Sequence, residues 1–410
     1  MTPDIMTNRS VSLSHLYRYD ALALTALVWF LGKFLRYAFP PLFGHFESIY
    51  TVSRTTLGTT FSGLMLVYAV MQFPSGVVAD RVGSVSVITA GGIVTGFGAL
   101  VLMMNAPFAA LAGAMLLIGA GTGTYKTVAI ELLSRIYPSE TGRSLGVFDT
   151  VGSMAGVAAP AAVVAAMSLP GIFGAPWRTL FLVGGLTALV VGFMFLIRVP
   201  RHLEDCSTTG SRDDSSPQFR EYIGLFRRPK FSIFVSITIL FSFAYNAIVA
   251  FLPLYLTEAG GLPPVMSNLL FSSLFVVSLI QLATGEASDR VGIFPLLVGT
   301  LAFATVGLAG LVVLSGVAGA VGLGATMVVL GLGAHGYRPV RGAYLMTVLP
   351  ESIAKGSLGV VRTLLVAAGA VGPAAAGYLS EVSGFRVAFT VLTAALGIAT
   401  TLTALLWVIE

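Results

Sequence analysis

Long apolar runs separated by short polar or Pro/Gly-containing segments make up most of this sequence. A run of about 20 residues at ~1.5 Å rise per residue crosses a ~30 Å hydrocarbon core as a helix. Twelve runs meet this length, and we number them span 1 to span 12: 20–44, 56–78, 84–104, 108–135, 145–168, 179–199, 231–256, 267–287, 292–315, 320–348, 358–380 and 385–409. The pattern predicts an all-α membrane protein with twelve transmembrane helices.

A single long hydrophilic stretch, residues 201–230, interrupts this pattern between spans 6 and 7. It predicts a division into an N-terminal six-helix half (1–200), a cytoplasmic linker (201–230) and a C-terminal six-helix half (231–410). Charged residues make up 10% of the chain, against about 25% in soluble domains. The expected partner of the surface is therefore the lipid bilayer, and an ordinary soluble enzyme is excluded. The single Cys206 and the lack of a clustered Cys/His pattern predict no metal and no cofactor.

The basic residues indicate how the chain crosses the membrane. With a cytoplasmic N-terminus, fifteen of the 23 Lys and Arg fall on the cytoplasmic side and three on the outer side, which leaves five inside the spans. The positive-inside rule then favours a multi-pass cell-membrane protein with both termini in the cytoplasm. The formal charge of +5 therefore mostly reflects topology, so no nucleic-acid partner is expected, and no obligate protein partner is evident.

The two halves repeat each other. The segment Gly76-Val77-Val78-Ala79-Asp80-Arg81-Val82-Gly83 after span 2 recurs as Gly285-Glu286-Ala287-Ser288-Asp289-Arg290-Val291-Gly292 after span 8. Further matches continue through span 5 at a nearly constant offset. Such a duplication predicts parallel repeats that are related by an axis along the membrane normal, an arrangement found in transporters with a site at the midplane.

This doubled segment is similar to the G-x-x-x-D-R-x-G signature of the major facilitator superfamily, and the glycine-rich Gly119–Gly123 segment is similar to that family's fourth helix. The resemblance implies the superfamily fold with two pseudo-symmetric halves, alternating access, and a cavity lined by spans 1, 4, 7 and 10. It also implies that two loop pairs gate the cytoplasmic side, with a partner for Asp80 on span 11. These gating candidates are Asp80, Arg81, Asp289, Arg290 and Arg362.

Two departures from the family pattern affect what the resemblance implies. Ser84 and Val85 stand where basic residues usually follow the signature, so the resemblance does not imply that part of the loop charge network. Span 5 carries Gly152, Gly156 and Pro160 and lacks the Gly-Pro pair that marks drug antiporters, which weakens an assignment to multidrug efflux.

Five cations lie within predicted spans, where a charge requires a water-filled cavity or a partner. They are Lys33, Arg36, Lys126, Arg338 and Arg341. Lys126 and Arg338 occupy equivalent repeat positions beside Tyr125 and Tyr337, a pairing suited to an anionic group on the substrate. Alternatively, Arg36 and Arg341 snorkel to an interface and Lys126 pairs with an acid on another helix. Tyr245 and Asn246 in span 7 are further candidates for substrate binding.

We interpret Glu131 as the only acid well inside a span, and it stands four residues before Arg135. It is a candidate for proton coupling, with a structural i, i+4 pair as the alternative. The matched Gln72 and Gln281 are either cavity residues or interhelical contacts, and the second interpretation is favoured.

The sequence predicts a secondary-active carrier of a small or organic anion, coupled to protons or to exchange. Proton-coupled efflux of amphipathic compounds is the alternative. An ATP-driven pump is not expected, because the only Gly-Lys pair, Gly32-Lys33, lacks the first glycine of a phosphate-binding loop. No catalytic constellation is evident, so the chain is not expected to be an enzyme. A non-transporting receptor on the same fold stays open.

Overall fold

The computed structural model describes residues 19–171, 174–200, 228–348 and 366–410, except for the side chain of Asp289. Regular secondary structure in these residues is entirely helical. Eleven helical segments are long and apolar enough to cross a membrane: Asp20–Tyr50, Arg54–Val82, Ser84–Val101, Phe108–Ile136, Pro138–Met167, Trp177–Arg198, Pro229–Glu258, Pro264–Ser288, Ile293–Leu314, Ala320–Val348 and Phe385–Ile409. They correspond to every predicted span except span 11, which confirms the all-α membrane fold.

Span 1 is longer than predicted and is broken. It consists of helix Asp20–Tyr37, a 3-10 turn at Pro40–Leu42 and helix Phe43–Tyr50. Two consecutive prolines, Pro40 and Pro41, lack backbone N–H donors and end the regular helix there. Span 2 (Arg54–Val82) then begins at Ser53, whose hydroxyl accepts a hydrogen bond from the Thr56 N–H at 3.2 Å.

The C-terminal half contains two further interruptions that the apolar pattern does not reveal. Span 8 divides into Pro264–Val276, a 3-10 turn at Val277–Leu279 and Ile280–Val291. Span 11, predicted at 358–380, lies partly outside the described residues. Its described part is helical at 366–369 and again at Gly372–Ser383. Pro373 in the first turn of this second helix cannot supply a backbone hydrogen bond, so the break falls just before it.

The repeated motif ends in the same turn in both halves. Gly83 follows span 2 with φ of 89°, and Gly292 follows span 8 with φ of 95°. Residues with a side chain rarely adopt this region, whereas glycine adopts it readily. The final glycine of the D-R-x-G pattern therefore lets each helix end and the next begin within one residue.

The helices of the two halves pack in corresponding ways. Span 1 packs on span 5 and span 3 on span 6, and in the C-terminal half span 7 packs on span 11 and span 9 on span 12. The halves meet where span 2 contacts span 11 and span 5 contacts span 8. At the first of these contacts, a Cβ built on Gly58 would lie 2.3 Å from the carbonyl oxygen of Pro373. Only a glycine allows the two backbones to approach this closely.

The ends of the helices define two faces of the molecule. We call the face that contains Asp20, Val82, Pro229 and Ile409 the terminal face, and the opposite face the far face. The terminal face includes an ion pair between Lys230 Nζ and Glu410 Oε2, with 2.8 Å between the two atoms. It connects the start of span 7 to the end of span 12. The positive-inside argument predicts that the terminal face is cytoplasmic.

Candidate functional site

A cavity of about 560 Å³ lies between the two halves. It extends from Lys33, near the middle of span 1, toward the terminal face, where it reaches Phe234 and Met346. The volume is typical of a site for a small molecule. Its lining residues come from both halves: Lys33, Tyr68, Gln72, Lys126, Asp149, Ser153, Phe234, Phe241, Ser242, Tyr245, Asn246, Gln281, Arg338, Pro339, Arg341, Gly342, Leu345, Met346 and Val366.

Two lysines form the cationic wall of the N-terminal half. The ammonium groups of Lys33 and Lys126 lie 5.3 Å and 4.9 Å from the centroid of the Trp29 ring. Lys126 also forms an ion pair with Asp149 of span 5, with 3.4 Å between Nζ and Oδ1. A ring beneath two cations stabilises them while it leaves their outer sides directed to the cavity.

Two arginines of span 10 form the opposite wall. The guanidinium carbon of Arg338 lies 4.4 Å from the Tyr245 ring centroid, and that of Arg341 lies 5.9 Å from the Tyr337 ring centroid. Planar guanidinium groups stack on aromatic faces and can still bind a carboxylate through two parallel hydrogen bonds. Asn246 lines the same region.

Three predicted binding residues lie outside the cavity lining. Arg36 is buried with its guanidinium carbon 4.1 Å from the Tyr68 ring centroid. Tyr125 is buried against span 3, with its hydroxyl 3.3 Å from Thr95 Oγ1. Tyr337 packs on Phe241, with 4.5 Å between the ring centroids. These side chains support the walls of the cavity from behind.

The acids are placed differently from the prediction. Glu131 forms an ion pair with Arg135 in the same helix and is 42% exposed, outside the cavity lining. The pair is the structural i, i+4 arrangement that is the alternative to proton coupling. Among the described lining residues the acid is Asp149. The sequence does not reveal it as an acid within a span, because it lies close to the start of the predicted span 5.

Spans other than 1, 4, 7 and 10 also contribute to the lining. Gln72 from span 2 and Gln281 from span 8 lie in the cavity, although an interhelical role seemed the safer interpretation. Ser153 of span 5 and Val366 of span 11 lie there as well. The repeat match of the two glutamines was the available signal, because equivalent positions in both halves face the same pseudo-symmetry axis.

His335 is a buried residue that the sequence reasoning did not single out. It is 1% exposed in span 10. The rings of Tyr245 and Phe275 enclose it, at centroid distances of 6.0 Å and 5.8 Å. It therefore lies behind the cavity wall, on the side toward the far face.

The gating candidates that the structure describes lie at the terminal face. Asp80 and Arg81 are exposed at the end of span 2, and Arg290 forms an ion pair with Glu286 of its own helix. Arg362 and the side chain of Asp289 are outside the described part of the chain. The expected contact between Asp80 and Arg362 therefore stays a prediction.

On the far side of the cavity the two halves are in contact. Tyr37 meets Phe275 at 4.8 Å and Phe43 meets Phe251 at 5.4 Å between ring centroids. Nearer the far face, Arg54 Nη2 lies 2.7 Å from both carboxylate oxygens of Glu258. The cavity is therefore sealed from the far face and extends toward the terminal face.

Comparison with known proteins agrees with this architecture. The sequence profile described as Major Facilitator Superfamily matches residues 22–337. The chain belongs to the major facilitator superfamily. Its members by fold include a bacterial homologue of the human lysosomal transporter Spinster in an inward-facing, unoccupied conformation. That structure has a TM-score of 0.79 at 15% identity and covers 95% of this chain and 97% of its own.

Two further superfamily relatives are informative. A D-xylose-proton symporter has a TM-score of 0.74 at 13% identity, with 95% of this chain and 97% of its own covered. The hexuronate transporter of Bacillus subtilis (strain 168) is 23% identical over 359 residues, which is 82% of this chain and 81% of that protein. This chain is thus a multi-pass membrane transporter of the secondary-active kind.

Proposed function

We propose that this protein carries a small organic anion with a carboxylate and several hydroxyl groups, such as a hexuronate, across the membrane by alternating access. The observation that supports this most is the charge of the cavity. Among the described lining residues, four cations, Lys33, Lys126, Arg338 and Arg341, face one carboxylate, that of Asp149. Cations inside a membrane are costly, so a surplus at the midplane is best explained by an anionic ligand.

The arrangement of the other lining residues supports a hydroxylated substrate. Gln72, Asn246, Gln281, Ser153 and Ser242 place neutral hydrogen-bonding groups around the cations. Hydroxyl groups of a sugar acid can both donate to and accept from amides and hydroxyls. The relative named as a hexuronate transporter points to the same class of substrate. Tyr245 would orient Arg338 beneath the bound anion.

The test is a binding titration of the purified protein with D-glucuronate, D-glucose and tetraphenylphosphonium by calorimetry. Glucuronate is expected to bind and glucose, which has a similar shape without the charge, is expected to bind at least tenfold more weakly. Lys126→Gln and Arg338→Gln should each weaken glucuronate binding by about 10- to 100-fold, because each removes a charge-assisted hydrogen bond of ~1.5–3 kcal/mol.

Arg178→Gln is the matched control. Arg178 is also a buried cation, but it lies near the far face and donates to Asn105 Oδ1 at 2.9 Å. This variant should lower the melting temperature and leave glucuronate affinity unchanged. Equal binding of glucose and glucuronate, or binding of tetraphenylphosphonium alone, would overturn the proposal and favour efflux of amphipathic compounds.

We further propose that Asp80, Arg81, Asp289, Arg290 and Arg362 form contacts between the halves when the terminal face closes. The exposure of Asp80 and Arg81 at the open face supports this. A contact made in one conformation biases the equilibrium by its own energy. Asp80→Asn should therefore increase labelling of a cysteine placed at Ser242 from the terminal face, whereas unaltered labelling would contradict the gating role.

A further inference from the structure

The ion pair between Lys126 and Asp149 connects two spans at the substrate cavity. Lys126 lies on span 4 and Asp149 on span 5, and both line the cavity. The lysine side chain is 16% exposed and the aspartate side chain 59% exposed. The aspartate carboxylate is therefore the more accessible member of the pair, and it contacts the ammonium group that the carboxylate of the proposed substrate would bind.

The substrate and Asp149 would therefore compete for one cation. The charged and titratable groups that line the cavity together with Asp149 are Lys33 of span 1 and Lys126 of span 4, Arg338 and Arg341 on span 10, and the phenols of Tyr68 and Tyr245. Lys33 and Arg338 both lie within electrostatic range of its carboxylate. Two carboxylates that share one site cannot both remain ionised without a penalty, and protonation of one removes it.

We propose that Asp149 takes up a proton from solvent when the substrate anion displaces it from Lys126, so that anion and proton enter the cavity together. This inference rests on the proposed anion transport. In the step, the Asp149 carboxylate becomes a neutral carboxylic acid. The Lys126 ammonium group then forms its ion pair with the carboxylate of the substrate. The net charge of the cavity is then the same before and after both ligands bind.

Other titratable groups are placed less suitably for this exchange. Glu131 pairs with Arg135 outside the cavity lining, so an anion that binds Lys126 does not contact it. His335 is 1% exposed behind the rings of Tyr245 and Phe275. Asp149 differs from both because its carboxylate holds the cation that the substrate needs.

The experiment is calorimetry of D-glucuronate binding to the full-length purified protein between about pH 5.5 and about pH 8, in buffers of different ionisation enthalpy. By thermodynamic linkage, if protonation of Asp149 strengthens anion binding, anion binding strengthens protonation by the same factor. The affinity of the wild type should therefore fall by up to about tenfold per pH unit as the pH rises, with close to one proton taken up per anion bound.

Asp149→Asn removes the competing charge. This variant should bind glucuronate with an affinity that does not change with pH, equal to that of the wild type at low pH, and without proton uptake. Asp149→Glu should restore the pH dependence. Glu410→Gln is a matched control, since Glu410 is a carboxylate in an ion pair with Lys230 outside the cavity lining, and it should behave as the wild type.

The outcomes separate this inference from the proposed function. Glucuronate binding without proton uptake by the wild type would overturn the inference and leave anion transport standing. Retained pH dependence in Asp149→Asn, or its loss in Glu131→Gln or His335→Gln, would also overturn it. If neither the wild type nor Asp149→Asn binds glucuronate at any pH, the proposed function and this inference both fail.

Discussion

The salt bridge of Arg54 at the far face should hold the two halves together in the conformation described here. Arg54 begins span 2, and its Nη2 lies 2.7 Å from both oxygens of Glu258 at the end of span 7. Its Nε lies 3.2 Å from Glu47 of its own half. Glu258 belongs to the other half, so this bridge can exist only while the far face is closed.

The expected effect of Arg54→Gln follows from the exposure of the pair. The side chains of Arg54 and Glu258 are 21% and 37% exposed, so solvent screens much of their attraction. Fully exposed pairs contribute up to about 1 kcal/mol, and the short two-oxygen geometry places this one near that upper value. A loss of ~1 kcal/mol from the closed far face changes the ratio of the two conformations by about fivefold.

Spin labels at positions 168 and 317, in a Cys206→Ser background, would report this shift. Pulsed electron paramagnetic resonance measures the distribution of distances between the two labels. Ser168 is exposed at the far face of the N-terminal half, and Val317, 81% exposed, lies at the far face of the C-terminal half. In Arg54→Gln the longer-distance population should grow. Lys230→Gln is the control, because its pair with Glu410 lies within the C-terminal half and does not connect the two halves. An unchanged distance distribution in Arg54→Gln, or an equal shift in Lys230→Gln, would refute the reasoning.

Three further variants test other parts of the structure. Gly83→Ala forces a side chain into φ of 89° and ψ of 145° and should lower the free energy of unfolding by about 1–3 kcal/mol. Gly76→Ala, with open space around it, should not, and equal melting temperatures of the two variants would contradict this. Gly58→Val should enlarge the longer-distance spin-label population, because its Cβ would lie 2.3 Å from the Pro373 carbonyl oxygen. Trp29→Leu should weaken glucuronate binding several-fold, since the two lysine ammonium groups lose the ring beneath them, and unaltered affinity in the titration would disprove that role.

The spans and the repeat could be predicted because both depend on local sequence. A bilayer requires a long apolar helix at each crossing, whatever packs against it, and Gly83 and Gly292 mark the same turn in both halves. The break in span 8 could not be predicted in this way. It contains no proline or glycine and lies where Val277 packs against Gly331 of span 10. Pro373, in contrast, is a local signal for the break in span 11.

The candidate site was predictable to the extent that side-chain direction follows from helix position. Lys33, Lys126, Arg338 and Arg341 all lie in the cavity. Tyr125 was chosen for its position beside Lys126, but adjacent residues on a helix point in different directions. The phenol therefore faces Thr95 of span 3.

Asp149 shows a different limit of the sequence reasoning. Its place near the start of span 5 resembles that of an acid at a helix terminus in the aqueous interface. Only the arrangement of the neighbouring spans shows that the cavity extends down to it and brings Lys126 within 3.4 Å.

The surplus of cations in the cavity also makes the conformational equilibrium of the protein depend on the membrane voltage. With four cations and one carboxylate among the described lining residues, rocking of the empty halves exposes the same positive charge to opposite sides of the membrane in turn. An elementary charge that crosses the whole field gains or loses ~2.3 kcal/mol per 100 mV. The membrane voltage would hold the empty carrier open toward the negative side. An anion that binds together with a proton would leave that hold unchanged, whereas an anion that binds without a proton would weaken it.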